Sequence, residues 1–285
     1  MDASQDRDIF DLTPTVGGPI LRRAVALIEP ALSHLLSLGR LRDLYAGLPK
    51  GLAAPDFIDA LLAAMEVGIR ASSDELARIP KTGPVVVVAN HPFGGLEGLV
   101  LAKMLLTVRP DAKIMANSLL ARVPELRDLL IGVNPFGGPA ATGDNARPLR
   151  ECLTTLKNGG LLAIFPAGAV SSPRLVNGRI DVADSHWSAT VARLVRKTQA
   201  TVVPIRFAGR NSHLFQTLGL LHPVLRTLLL PREFANKQGT TVEARIGSPT
   251  PYERLARLAG NDKDPDGRIM RYLRLRTALL RDRPH

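Results

Sequence analysis

The chain has 285 residues, 45% of them hydrophobic and 4% aromatic, with a formal net charge of +11. That length buries a full core as one domain, or as one domain with a helical appendage. The charge calls for an anionic partner, either lipid surface or nucleic acid, and the scarcity of aromatics argues against stacking platforms for single strands.

A single cysteine, Cys152, excludes an internal disulfide and a cysteine-built metal cluster, and fits a reducing compartment. The N-terminal stretch to Asp8 is acidic and polar, unlike a signal peptide. No apolar run reaches the roughly 18 uninterrupted residues of a spanning helix, so the chain is expected to be soluble or to lie on a surface.

Residues 1–17 read as disordered, and Gly17-Gly18-Pro19 closes them. From Pro19 to about Gly39 apolar residues recur at helical spacing, with Pro30 expected to kink or split the helix. A second helix is predicted from about Asp56 to Met65, then a short strand near 67–71, before Lys81-Thr82-Gly83-Pro84 punctuates the chain. Arginines alternate with apolar residues at 20–25 and again at 268–276, a pattern that suits a membrane interface or an ordinary solvated face. We therefore expect an N-terminal helical, membrane-contacting segment over 18–80 and a catalytic domain over 81–285.

Beyond residue 81, strands are predicted at 85–89, 112–116, 131–134, 160–165, 201–207 and 241–246. Helices are predicted at about 96–107, 118–130, 144–157, 187–198, 213–229 and 267–281. The alternation predicts an α/β fold, a largely parallel sheet flanked by helices. There is no Walker loop, no Gly-x-Ser-x-Gly elbow and no His-Glu-x-x-His, so nucleotide, serine-hydrolase and zinc chemistry lack support.

The first strand, Val85-Val86-Val87-Val88-Ala89, has the continuous apolar character of a strand buried on both faces. It opens into Asn90-His91-Pro92-Phe93-Gly94-Gly95-Leu96-Glu97-Gly98. A base and a carboxylate at the end of a buried strand stand where α/β enzymes keep their chemistry, although Glu97 also suits a helix N-terminus. Three more Pro/Gly loops fall at predicted strand ends: Asn134-Pro135-Phe136-Gly137-Gly138, Phe165-Pro166-Ala167-Gly168-Ala169-Val170-Ser171-Ser172, and Pro204-Ile205-Arg206-Phe207-Ala208-Gly209-Arg210-Asn211-Ser212. His186, His213 and His222 lack metal-ligand spacing and read as structural, and Trp187 as packing at a helix start. The leucine-rich stretch 215–230 reads either as core helix or as lipid-facing surface.

In this order and spacing the four loops resemble the glycerolipid acyltransferase superfamily, and within it the bacterial branch labelled haemolysin-like; the likeness runs over about residues 20–280. The resemblance implies acyl transfer from acyl-CoA or acyl-carrier protein to a lyso-lipid-like acceptor on the cytoplasmic side of a membrane, with no metal or bound cofactor. It implies His91 as general base and Glu97 as the carboxylate that orients it. Asn90, Gly94, Gly95, Gly137, Gly138, Arg147, Arg150, Phe165, Pro166, Gly168, Ser171, Pro204 and Arg210 become candidate substrate contacts, with Gly168 and its neighbours giving N–H groups to a phosphate or oxyanion.

The chain departs from the superfamily pattern in three places. Five residues separate His91 from Glu97 instead of four, so the pair meets only if Pro92–Gly95 folds back. Ala167 and Val170 stand where phosphate-binding members carry Glu and Arg, and Arg147 and Arg150 lie beyond the place of another arginine. A phosphate-headed acceptor is therefore disfavoured against a zwitterionic or amino-acid-headed lyso-lipid. The rival expectations are a decayed basic lipid-binding protein and a lipid or thioester hydrolase on the same scaffold.

Overall fold

The computed structural model describes residues 36–134, 145–176, 178–221 and 223–280. The predicted disorder of 1–17, nearly all of the first predicted helix, His222, Gly137 and Gly138 lie outside the described residues.

Helix α1 (Leu38–Ala46) and helix α2 (Ala54–Ala64) lead into strand β1 (Gly68–Arg70) and the single turn α3 (Ser73–Leu76). Strand β2 (Val85–Ala89) and helix α4 (Gly95–Val108) follow, then β3 (Lys113–Asn117), β4 (Leu130–Val133), α5 (Ala146–Lys157) and β5 (Leu161–Ile164). The hairpin β6 (Ser172–Val176) and β7 (Arg179–Ala183) precedes α6 (Ala189–Thr198) and β8 (Thr201–Phe207). After β8 come α7 (His213–Leu221), α8 (Pro223–Leu228), α9 (Leu230–Ala235), β9 (Thr241–Ile246), α10 (Tyr252–Ala259) and α11 (Pro265–Ala278).

Seven strands form one sheet in the order β1-β9-β8-β2-β5-β3-β4. β8, β2, β5, β3 and β4 run parallel; β9 is antiparallel to β8, and β1 runs with β9. The expected mostly parallel α/β sheet is present.

Strand β2 sits at the centre because it can bury both of its faces. Val85, Val87 and Ala89 pack into the cluster built with α2 and α4, and Val86 and Val88 into the one built with α5, α6, α10 and α11. The alternation follows from the period of two along a strand. All four valines are fully buried, each contributing about 1.5–3 kcal/mol of transfer free energy. The described part of the N-terminal segment, from Tyr45 through Phe57, Ile58 and Leu62 to Ile79, shares the first of these clusters.

At the opposite end of the strands from His91, Arg109 ties the sheet's entry turns together. Its guanidinium donates to the carbonyls of Pro80, Gly83 and Gly159 and, through both forks, to Asp111. The hydrogen bond from Arg109 holds the Asp111 carboxyl below the usual carboxylate range.

Two local expectations are corrected. The predicted helix 118–130 is two short 3₁₀ turns, Ser118–Arg122 and Pro124–Leu126, because the residue before a proline is pushed out of the helical region, and Val123 is extended. The long predicted helix 213–229 is split into α7 and α8, with Pro223 opening α8. The segment 172–183, for which no strand is predicted, is an antiparallel hairpin with Ser172 opposite Ala183. The arginines of α11, whose pattern suits a membrane interface or a solvated face, make contacts within the protein: Arg268 with Asp262, Arg271 with Asp264, Arg274 with the Asp184 carbonyl and Arg276 with that of Ser248.

Candidate active site

The site is built on the C-terminal edge of the parallel strands, where β2, β5 and β8 deliver three loops side by side. Asn90 is the first residue past β2. Its side chain donates to the Phe207 carbonyl at 2.9 Å and accepts from the Phe207 N–H at 2.7 Å. A side-chain amide thus extends the β2–β8 ladder by one step and fixes where the next residue, His91, leaves the sheet.

The Pro92–Gly95 segment does fold back. Gly94 takes φ +106, open to glycine alone, and a Cβ there would stand 2.8 Å from Leu230 Cδ2. Glu97, fully buried in the first turn of α4, then turns toward the loop it has just left. Its Oε1 accepts the N–H groups of Phe93 and Gly94, both at 2.9 Å. The same oxygen lies 2.9 Å from His91 Nδ1. That approach falls short of an aligned hydrogen bond, and Glu97 Oε2 has no partner among the described residues. Such contacts tighten when substrate closes a site. Glu97 therefore caps a helix and faces the histidine with one carboxylate.

His91 is held from its other sides as well. Its ring stacks on Phe165 at 4.4 Å between centroids, 28° from parallel. Its N–H donates to Asp184 Oδ1 and its carbonyl accepts the Ser171 N–H at 2.8 Å. Asp184, buried, also receives the Ser171 hydroxyl at 2.6 Å and the Trp187 indole N–H at 2.9 Å. On the third side, Asn211 Nδ2 donates to the Phe93 carbonyl, and Lys237 Nζ stands 4.7 Å over the Phe93 ring. Burial draws the Lys237 pKa down, opposed by the charges of Glu233 and Glu97. Nδ1 thereby faces Glu97 at 2.9 Å, and no described residue hydrogen-bonds Nε2.

The expected contact residues separate into groups. His91, Glu97, Asn90, Gly94, Gly95, Phe165 and Ser171 come together in one loop cluster. Pro166 is buried, its carbonyl accepting the Ser188 N–H, and Pro204 lies within β8 opposite Val88. Gly168 spends its N–H on the Phe165 carbonyl in a tight turn at φ +65, so that donor is not free for an oxyanion. Arg147 and Arg150 are exposed on the first turns of α5, apart from the His91 contacts. Val170 is buried against Phe215 and Leu229, and it stands beside Gly94. An apolar contact thus occupies the place where the related pattern carries arginine.

Sequence reasoning missed Asp184, Asn211 and Lys237. Asp184 and Asn211 sit 93 and 118 residues from the atoms they hold, and no spacing rule spans such distances. The one available signal was Asn211 itself, inside a loop already singled out.

The description "Acyltransferase" fits the family model that matches residues 45–281. Over 254 residues the chain is 25% identical to the lyso-glycine lipid O-acyltransferase of Phocaeicola vulgatus, covering 86% of each chain. The protein of the same description from Bacteroides thetaiotaomicron is 27% identical over 208 residues, 70% of this chain and 71% of that one. Among solved structures, the 1-acyl-sn-glycerophosphate (LPA) acyltransferase PlsC of Thermotoga maritima aligns with a TM-score of 0.46 and 17% identity, over 91% of this chain and 94% of that chain. With its family model spanning most of its length and a histidine–carboxylate loop at the sheet's edge, the chain belongs to the acyltransferase family.

Proposed function

We propose that the protein transfers a fatty acyl group from acyl-CoA or acyl-carrier protein to the hydroxyl of a lyso-lipid, with His91 as general base. The observation that carries this reading is the pairing of His91 Nδ1 with the buried Glu97 carboxylate at 2.9 Å, which leaves Nε2 for substrate. The acceptor hydroxyl gives its proton to Nε2 as its oxygen forms a bond to the thioester carbonyl carbon. The tetrahedral intermediate then expels the thiolate, which takes that proton back as thiol. Glu97 favours the imidazolium that exists between the two steps. The names of the two relatives support a lyso-glycine lipid as acceptor, and the buried Val170 supports a head group other than a phosphate monoester.

The proposed location is peripheral, on the cytoplasmic side of an anionic membrane. No described helix is long and apolar enough to cross a bilayer. Leu119, Leu120, Leu214 and Leu220 are exposed on segments that follow β3 and β8, the edge that carries His91, and the exposed Arg122 accompanies the first pair. Apolar side chains with a neighbouring cation suit a lipid–water boundary.

The decisive experiment supplies purified protein with acyl-CoA or acyl-carrier protein, with and without lyso-glycine lipid, and identifies the products by mass spectrometry. Diacylated lipid and free thiol in equal amounts are expected, and none from His91→Ala. Thioester consumption that ignores the lyso-lipid indicates a hydrolase, and near-wild-type turnover by His91→Ala removes the general base.

A further inference from the structure

The hairpin β6–β7 forms a two-stranded sheet of its own, separate from the seven-stranded one. Its outermost pair is Ser172 opposite Ala183, so the adjoining Ser171 and Asp184 are its two feet. Both feet are buried, Ser171 at 4% exposure and Asp184 at 6%. They bond to each other, the Ser171 hydroxyl donating to Asp184 Oδ1 at 2.6 Å. They also bond to one common residue. The Ser171 N–H donates to the His91 carbonyl at 2.8 Å, and the His91 N–H donates to Asp184 Oδ1 at 3.1 Å.

These three bonds close a circuit around the backbone of His91. A residue whose N–H and C=O both end on one linked pair has its two flanking peptide planes held from outside. The direction of its Cα–Cβ bond is then fixed as well. Stacked on Phe165 and facing Glu97, the imidazole keeps little freedom of its own. The pair is braced in turn. Trp187 Nε1 donates to Asp184 Oδ2 at 2.9 Å, and Arg274 donates to the Asp184 carbonyl. Ser185 Oγ and the Ser188 N–H tie the same two stretches together on the carbonyls of Ala167 and Pro166, both at 2.9 Å.

The donors explain why an aspartate stands here. Three of them converge, from His91, Ser171 and Trp187, and a carboxylate offers acceptors alone. An asparagine would turn its NH₂ against one of the three. No described cation bonds either carboxylate oxygen, and a carboxylate buried in this way is costly to hold. A turn that served packing alone would gain nothing from it. We propose that Ser171 and Asp184 are positioning residues, which clamp the backbone of His91 and so aim its imidazole at the acceptor hydroxyl. Both donors of Ser171 are spent in the clamp. This deepens the general-base reading above and rests on it.

The test compares two serine-to-alanine changes on the same seam of the full chain. Ser171→Ala opens the circuit at Asp184, whereas Ser185→Ala removes the neighbouring bond to Ala167, which does not reach His91. Both should lower the thermal melt slightly and alike. Only Ser171→Ala should lose kcat, by about tenfold, with KM for lyso-glycine lipid within twofold of wild type, because a misaimed base slows the reaction without weakening binding. A second readout needs no turnover. It is the backbone amide resonance of His91 in protein carrying nitrogen-labelled histidine, assigned by its loss in His91→Ala. The amide proton should lie downfield in wild type, as suits an N–H given to a carboxylate, and move upfield in Asp184→Ala. If Asp184→Ala fails to fold, the serine pair alone decides. Equal kcat losses in the two serine variants, or wild-type kcat in Ser171→Ala, or an unmoved resonance in folded Asp184→Ala, overturns the proposal. Acyl transfer that persists beside such a result leaves the acyltransferase reading standing. A moved resonance in a protein that acylates no lyso-lipid sinks that reading and leaves the clamp.

Discussion

Replacing Glu97 by Gln separates the two duties that this carboxylate performs. The amide keeps an oxygen for the N–H groups of Phe93 and Gly94, so the start of α4 should survive. What disappears is the charge facing His91. At the 2.9 Å separation observed, and with an effective dielectric constant near 20, a carboxylate and an imidazolium attract by about 6 kcal/mol. The oxygen is shared with two backbone donors, and the imidazole approach is off the ideal line. We take about half of that value, roughly 3 kcal/mol, which corresponds to about a 10²-fold fall in kcat. Stability should change little, by about 1 kcal/mol or less, since removing a buried charge offsets the weaker cap. Steady-state acylation with lyso-glycine lipid, together with a thermal melt, measures both. A kcat within threefold of wild type, with the melt unchanged, would refute the claim that the carboxylate supports an imidazolium.

Arg109→Leu should cost about 2–4 kcal/mol in urea unfolding, since it releases three carbonyls and Asp111 at once. The Asp111 carboxyl is held low by Arg109, so its contribution is complete above about pH 4 and is lost as pH falls through the lowered value. The melting gap between wild type and Asp111→Asn should accordingly close in acid, and a gap that widens there contradicts the assignment. Cys152 is fully buried and its thiol is pushed up to about 12, chiefly by burial and then by the charge of Glu151; it should resist alkylation in the native protein at neutral pH and react fully in denaturant. Converting Leu119, Leu120 and Leu220 to Ser should lower flotation with anionic vesicles while leaving turnover of a dispersed substrate intact. Flotation equal to wild type would place the lipid contact elsewhere.

The central strands were legible because burial on both faces demands continuous apolar runs: Val85–Ala89, Leu161–Ile164 and Thr201–Phe207 can do little else. The His91–Glu97 pairing was legible as a condition, since two glycines allowed a return that the structure makes. Other features were hidden for identifiable reasons. Leucines at helical spacing over 118–130 mimicked a helix that Pro124 forbids, and two of them, Leu119 and Leu120, are on the surface. The hairpin was overlooked although Asn177-Gly178 is a strong turn signal, because its strands lack the apolar alternation of a core sheet. Asp184 reads as one acid among several on a polar stretch, and only the tertiary fold shows it receiving the N–H of His91.

Because the amide protons of Phe93 and Gly94 both end on Glu97 Oε1, hydrogen–deuterium exchange at these two positions becomes a gauge of the site that needs no turnover. Any event that draws the carboxylate toward His91 weakens its hold on those protons, and any event that drives it back slows their escape. A donor thioester, a lyso-lipid or an inhibitor should each leave its own exchange signature at residues 93 and 94. Ligands could then be sorted by how they move the carboxylate before a single product has been formed.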